Sequence, residues 1–385
     1  MTHSRLRPLL VVGTRPEAIK MAPVIQECHR RAQSVEPIVC FTGQHKEMLQ
    51  QVADYFAIVP DEQLDVMRPN QSLSGLTSRL LDELDQVVLR QKPDAIVAQG
   101  DTTTVLAAAL TAFYHRLPLV HVEAGLRTHN LQAPWPEEFN RRVASLATTI
   151  HCAPTRGAAQ QLIREGVDPA AVHMTGNTVI DALLATAARE RKNSSMWRDR
   201  LPALRQPRMV LVTGHRRENF GQGMQSICRA IRRLAAEFSH VDFVYPVHLN
   251  PNVKQPVHAA LAGLDNVHLL PPAQYPQFVW LMDQASLILT DSGGVQEEAP
   301  SLGKPLLVMR ETTERPEAVD AGAARLVGVS EDRIVSEVSL LLNDRSEYDR
   351  RRPKHNPYGD GCSSSRIVDL LEQRFASRVS RRAAA

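Results

Sequence analysis

Three acidic residues fall at or just beyond the ends of apolar runs in the first half of the chain. Asp101 follows Ala95–Gln99, Glu123 follows Leu119–Val122, and Glu137 sits in Pro134-Trp135-Pro136-Glu137-Glu138. Acids at the carboxyl ends of parallel strands point into the crevice where ligands bind. With no metal-ligand pattern beside them, a converging set suits general acid–base work on a neutral substrate. Any one alone reads as a helix cap or a surface acid; the set carries the reading.

A second kind of chemistry is written in the turns. Gly13-Thr14-Arg15-Pro16-Glu17-Ala18-Ile19-Lys20 joins an apolar run to a helical stretch and places two cations about a turn apart. Cations beside the positive end of a helix invite an anion such as phosphate. Asp291-Ser292-Gly293-Gly294 repeats the device after Leu287–Thr290. Its paired glycines let backbone N–H groups approach a ligand, and Ser292 adds a hydroxyl. Glu298, one turn on, is placed to accept from a ribose diol. His215, in Thr213-Gly214-His215-Arg216-Arg217, and His248, in Pro246-Val247-His248-Leu249-Asn250-Pro251, end two further runs. An unperturbed pKa of about 6.5 lets such a histidine hydrogen-bond or protonate a leaving phosphate.

These residues require strands and helices in alternation to hold them. Runs of strand length occur at Leu9–Val12, Pro37–Phe41, Ala95–Ala98, Leu119–Val122, Met209–Val212, Phe243–Val247, Val267–Leu270, Leu287–Leu289 and Leu306–Val308. Between them, stretches such as Leu73–Arg90 repeat apolar residues at helical spacing (Leu73, Leu76, Leu80, Leu81, Leu84, Val88). That alternation means α/β units with parallel sheets. It pauses between Asp181 and Pro207, where the domain boundary is placed. The expected division is 1–185 for an N-terminal Rossmann-like domain carrying the acids and 205–362 for a C-terminal one. A helix over 363–385 with a basic tail packs back on the first. Ligand then binds where the two sets of strand ends face a central cleft. The tetrapeptide Arg-Pro-Glu-Ala occurs at Arg15–Ala18 and again at Arg315–Ala318, each opening a helix with proline near its start.

Composition narrows the class. The chain has 385 residues, 45 basic against 42 acidic for a net charge of +3, with 43% apolar and 23% charged residues. That is the balance of an ordinary globular protein and points to neither nucleic acid nor membrane as a partner. Five scattered cysteines without a C-x-x-C suggest neither a zinc site nor a disulfide framework, and suit a reducing cytoplasm. The first apolar run is too short for a signal or membrane segment. Absence of G-x-G-x-x-G, P-loop, H-E-x-x-H, G-x-S-x-G and D-x-D patterns removes support for nicotinamide enzymes, NTPases, zinc hydrolases and D-x-D sugar transferases.

Taken in order, the segments Gly13–Lys20, Gln99–Thr104, His121–Thr128, Pro134–Arg142, Gly176–Asp181, Thr213–Phe220, Pro246–Pro251, Thr290–Met309 and Arg315–Val319 resemble those of the bacterial non-hydrolysing UDP-N-acetylglucosamine 2-epimerases. The resemblance implies the GT-B fold of two doubly wound Rossmann-like domains. It also implies interconversion of UDP-N-acetylglucosamine and UDP-N-acetylmannosamine without cofactor or metal, and a homodimer serving surface polysaccharide. By position, Asp101, Glu123 and Glu137 resemble the family's acid–base group. Arg15, Lys20, His215, Ser292, Gly293 and Gly294 resemble its diphosphate site, Glu298 its ribose-binding acid, Phe278 the residue beside uracil, while Arg141 and Arg315 line its site. Gln44, His45, Arg216 and His248 match a second, regulatory UDP-N-acetylglucosamine site. Glu47 and Asn70 stand where a relative has Gln and Arg, which implies weaker binding there. Near Pro271-Pro272-Ala273-Gln274 the chain departs from the family's uracil contact. A hydrolysing epimerase, a retaining glycosyltransferase of the same fold and a non-catalytic nucleotide-sugar sensor are the alternatives.

Overall fold

Strands of the computed structural model, which describes residues 5–43, 46–201, 203–204 and 206–383, form where apolar runs are continuous. β1 (Pro8–Val12), β2 (Ile38–Phe41), β4 (Ala95–Gln99) and β5 (Leu119–Val122) have every residue buried. This is the pattern of parallel strands covered by helices on both faces. β3 (Glu62–Gln63), β6 (Thr148–Ala153) and β7 (Val172–Met174) complete a seven-stranded sheet of order β3-β2-β1-β4-β5-β6-β7. All its neighbours pair in parallel.

The second sheet has six parallel strands, β8 (Arg208–Thr213), β9 (Val241–Pro246), β10 (Val267–Leu270), β11 (Leu287–Thr290), β12 (Leu306–Val308) and β13 (Arg325–Leu326). Its order is β10-β9-β8-β11-β12-β13. In each sheet the order reverses once, between β1 and β4 in the first and between β8 and β11 in the second. Such a switch point opens a crevice at the strands' carboxyl ends. The turns singled out by sequence follow those four strands or their neighbours.

Helices form where the apolar spacing is helical. In Leu73–Gln91 the buried residues are Leu76, Leu80, Leu84, Val87 and Val88, Ser72 caps the start by accepting from Gly75 N–H, and Lys92 ends it in the left-handed region. Leu76, Leu80 and Leu84 join Leu9, Val11, Ile96 and Ala98 in the core of the first sheet. Val210, Phe243, Leu289 and Ile231 belong to the core of the second. No helix among the described residues is long and apolar enough to cross a membrane.

The chain divides into Met1–Ala182 with Tyr358–Ala385, and Leu183–Pro357. Tyr358 through Cys362, read from sequence as the end of the second domain, therefore group with the first unit. Tyr358 is buried and its carbonyl accepts from Asn177 N–H at 2.7 Å. Gly176 allows this approach, because a Cβ there would meet Ser363 Oγ at 2.6 Å and Tyr358 O at 3.4 Å. The C-terminal helix runs Ser363–Ala383, through the basic stretch read as a tail. Asp181 caps it by accepting from Ser363 and Ser364 N–H at 3.2 and 2.8 Å. Arg31, following the helix Arg15–Arg30, binds its Asp369, Glu372 and Ser365.

Candidate functional site

Asp101 and Glu123 lie at the carboxyl ends of β4 and β5, whereas Glu137, expected just beyond a strand end, opens a helix instead. Gly100 takes φ +88°, a conformation that favours glycine, and turns the chain so that Asp101 leaves the strand. His121 Nε2 lies 2.7 Å from Gly100 O. A carbonyl only accepts, so Nε2 carries the ring proton. Burial pushes the His121 pKa down to about 4, which keeps the ring neutral. Asn140 donates to Asp101 O at 2.9 Å, and Arg141 Nη2 sits 2.8 Å from the Asp101 carboxylate. Burial raises the Asp101 pKa; the Arg141 guanidinium opposes the shift, and the charges of Glu123 and Glu137 reinforce it. That coupling places the three acids in one electrostatic group.

Glu123 is held differently. Its φ of +65° costs roughly 1–3 kcal/mol for a residue with a side chain. Lys20 Nζ donates to both its carboxylate oxygens at 2.7 Å, Asn177 Nδ2 donates at 3.0 Å, and Gln99 Nε2 also donates. The anion that answers Lys20 is thus a carboxylate of the same unit. Glu137 opens the helix Glu137–Ala147, half-buried, and its carbonyl accepts from Arg141 Nε at 3.3 Å. Its neighbour Glu138 is fully buried and accepts from the Thr128 and His129 N–H groups at 3.0 and 3.2 Å.

Arg15 begins the helix Arg15–Arg30. It has no hydrogen-bonded or ion-paired partner among the described residues, and burial lowers its pKa. The turn before it is gripped by Glu17, which accepts from Gly13 and Thr14 N–H at 2.6 and 3.3 Å. Burial pushes the Glu17 pKa up to about 7.

In the second unit the β8 and β11 ends are joined by one carboxylate. Asp291 is fully buried and accepts from His215 N–H (3.1 and 3.0 Å to its two oxygens), Arg216 N–H (2.9 Å) and Asn219 Nδ2 (3.0 Å). The rings of His215 and His248 stack, 5.5 Å between centroids and 18° between planes. Burial lowers the His215 pKa, Asp291 opposes that shift, and His248 and Arg216 add to it. A Cβ on Gly293 would lie 3.2 Å from Arg216 Nη2 and 3.9 Å from Arg315 Cζ. Two guanidinium groups therefore converge where glycine leaves the backbone bare. Arg315 pairs with Glu297, and Arg310 binds both Glu218 and Glu314 (2.6 and 2.7 Å), steadying the segment that leads to Arg315. Ser292 N–H donates to Thr290 Oγ1 at 3.0 Å. Glu298 is buried in Gly293–Glu298, and Phe278 is half-buried in Tyr275–Gln284.

Sequence reading grouped Lys20 with the phosphate-binding residues, whereas the structure sets it against Glu123. Arg216, matched to a regulatory site, lies over Gly293 beside Arg315. Gln44 and His45 lie outside the described residues. Gln99, Asn140, Asn177, Glu17, Asp291 and Arg310 were not singled out as site residues. All of these but Arg310 stand inside the segments that carry the resemblance, and the polar end of an otherwise apolar β4 is the signal that flags Gln99. No group of His, Cys, Asp and Glu among the described residues is arranged to hold a metal ion.

A family described as UDP-N-acetylglucosamine 2-epimerase matches residues 26–372. The chain is 51% identical over 371 residues to a UDP-N-acetylglucosamine 2-epimerase of Salmonella typhimurium, covering 95% of this chain and 98% of that protein. It is 51% identical over 378 residues to one of Escherichia coli K12, with the same coverage. Its structure resembles that of a UDP-GlcNAc 2-epimerase from Neisseria meningitidis bound to UDP-GlcNAc, with TM-score 0.87, 45% identity, and 96% and 100% of the two chains covered.

Proposed function

The chain belongs to the UDP-N-acetylglucosamine 2-epimerase family, and on that premise we propose that it interconverts UDP-N-acetylglucosamine and UDP-N-acetylmannosamine by eliminating and re-adding UDP, without hydrolysis. The hydrogen on sugar carbon 2 is not next to a carbonyl, so removing it alone would leave an unstabilised carbanion. Elimination avoids this. A base takes the carbon-2 proton, the electron pair forms the double bond to carbon 1, and the bond from carbon 1 to phosphate oxygen breaks with its pair going to UDP. The product is 2-acetamidoglucal. Re-addition reverses the electron flow, with the proton arriving at the opposite face of carbon 2.

The observation that carries this reading is the unequal state of the acids in the first unit. Glu123 is engaged by the Lys20 ammonium and two amides, donors that favour its carboxylate form. Asp101 has its pKa raised by burial against the pull of the Arg141 guanidinium, so the two carboxylates differ in what holds them. Glu137 completes the acid–base group. Arg15, Arg141, His215, Ser292, Gly293, Gly294, Arg315, Glu298 and Phe278 bind the nucleotide sugar, with cations stabilising the diphosphate as it leaves. Proton NMR of UDP-N-acetylglucosamine in deuterated water tests this: deuterium enters carbon 2 as UDP-N-acetylmannosamine accumulates. Free N-acetylmannosamine with UDP as the end products would instead mark a hydrolysing enzyme.

The same reading makes the protein a cytoplasmic homodimer that requires no metal, so a chelator leaves the rate unchanged. Exposed Phe113, Tyr114 and Leu146, on the adjacent helices Thr103–Tyr114 and Glu137–Ala147, support a self-association face. Substrate at a second site using Gln44, His45, Arg216 and His248 activates the enzyme. Reaction started from pure UDP-N-acetylmannosamine then shows a lag that added UDP-N-acetylglucosamine removes.

A further inference from the structure

We infer that Asp291 is a positioning residue that presents the diphosphate-binding groups of the second unit; the inference rests on the reading of that unit as the nucleotide site. A fully buried carboxylate next to Ser292-Gly293-Gly294 is at first sight wrong for a site that takes an anion. Its field would repel the diphosphate unless other groups neutralise it. The structure supplies those groups without drawing on the guanidiniums. Among the described residues its hydrogen bonds come from backbone N–H groups and an amide: His215 N, Arg216 N and Asn219 Nδ2. His215 Nδ1 stands off at 3.7 Å.

The consequence is mechanical. Arg216 is held through its backbone N–H by Asp291, and its guanidinium reaches Gly293, two residues further along the same loop. Both ends of Arg216 thus rest on the segment after β11. Asn219 adds a second tie, because its Nδ2 also donates to Met309 O at 3.2 Å, beyond the end of β12. β8, β11 and β12 are neighbours in the sheet, so one carboxylate and one amide lock the loops of adjacent strands into a single presenting surface. Orientation of donors before the ligand arrives is what makes such a surface bind charge strongly.

The test compares UDP with uridine, which lacks the diphosphate, by calorimetric titration of wild type, Asp291→Asn and Asn219→Ala. Wild type prefers UDP. Asp291→Asn keeps the volume but turns an acceptor into a donor facing N–H groups, and lowers UDP affinity by about tenfold or more, the scale of a lost charge-assisted hydrogen bond. Asn219→Ala lowers it by about threefold. Uridine affinity stays within about twofold in both, since the uridine contacts are untouched. A merely structural role moves both ligands in parallel, and that result overturns the inference, as does an unchanged UDP-to-uridine ratio. Should Asp291→Asn fail to fold, Asn219→Ala decides alone. A wild type that binds uridine as tightly as UDP overturns the nucleotide-site reading itself, and the inference with it.

Discussion

The two units use the same residue types to opposite ends. In the first, cations serve acids: Lys20 grips Glu123 and Arg141 grips Asp101. In the second, an acid serves cations, since Asp291 binds backbone N–H groups while the Arg216 guanidinium, without a hydrogen-bonded or ion-paired partner among the described residues, lies over Gly293. On the proposed reading, one arrangement tunes acids for proton transfer and the other prepares a surface for an anion. Buried carboxylates that each clasp two consecutive backbone N–H groups are common to both: Glu17 on Gly13 and Thr14, Glu138 on Thr128 and His129, Asp291 on His215 and Arg216. Charge alone therefore does not mark a reacting group; what it binds does.

The sharpest way to break this contrast is at Asp101. Asp101→Asn removes the proton carrier and keeps the shape, so kcat falls by about 10²–10⁴-fold with little change in KM. Glu123→Gln lies in the same range, because it leaves the Lys20 ammonium without its anion. Normal kcat in both would mean that the acids of the first unit are structural.

Stability against pH gives the next largest effect, and it too separates the roles. His121 is buried neutral with its pKa at about 4, below the ordinary 6.5, so the unfolded chain binds the proton first. Stability is complete above pH 6.5 and is lost as pH falls toward 4, by about 3 kcal/mol. His151, down to about 3, acts in the same direction. Glu17 has the opposite sign: with its pKa raised from 4.5 to about 7, the folded chain binds the proton first. Its contribution is complete below pH 4.5 and is lost as pH rises through 7, again by about 3 kcal/mol. Urea unfolding across this range should show His121→Gln flattening the acid limb and Glu17→Gln the neutral limb. Unchanged limbs would mean that neither group is buried as described.

Arg216→Ala should be the mildest of these changes, raising the dissociation constant for UDP by about tenfold and abolishing activation by added UDP-N-acetylglucosamine, while kcat of the unactivated enzyme moves little. A loss of kcat equal to that of Asp101→Asn would erase the distinction between the units.

Continuous apolar runs made the central strands legible in the sequence, because a strand covered on both faces leaves little place for polar residues beyond an occasional one such as His121 in β5. β3, β7 and β13 escape because each is two or three residues that include a polar or charged one, leaving no apolar run to read, whereas the equally short β12 is wholly apolar. β6 opens on two threonines and carries His151, so its apolar run is broken. The acids Asp101 and Glu123 could be found as residues following such runs. Glu17 and Asp291 could be seen only as parts of turns, since nothing local says that a carboxylate faces inward onto N–H groups.

Local pattern was enough for the alternation of strands and helices and for the glycine turns at their ends, because each depends on residues within a few positions of one another. The partner of Lys20 was beyond its reach. Glu123 lies 103 residues away, and the two meet because β1 and β5 both flank β4 in the folded sheet. Sheet order follows from the burial of whole faces, to which distant segments contribute together. The pairing that sets Lys20 beside Glu123 therefore arises only when the whole sheet forms.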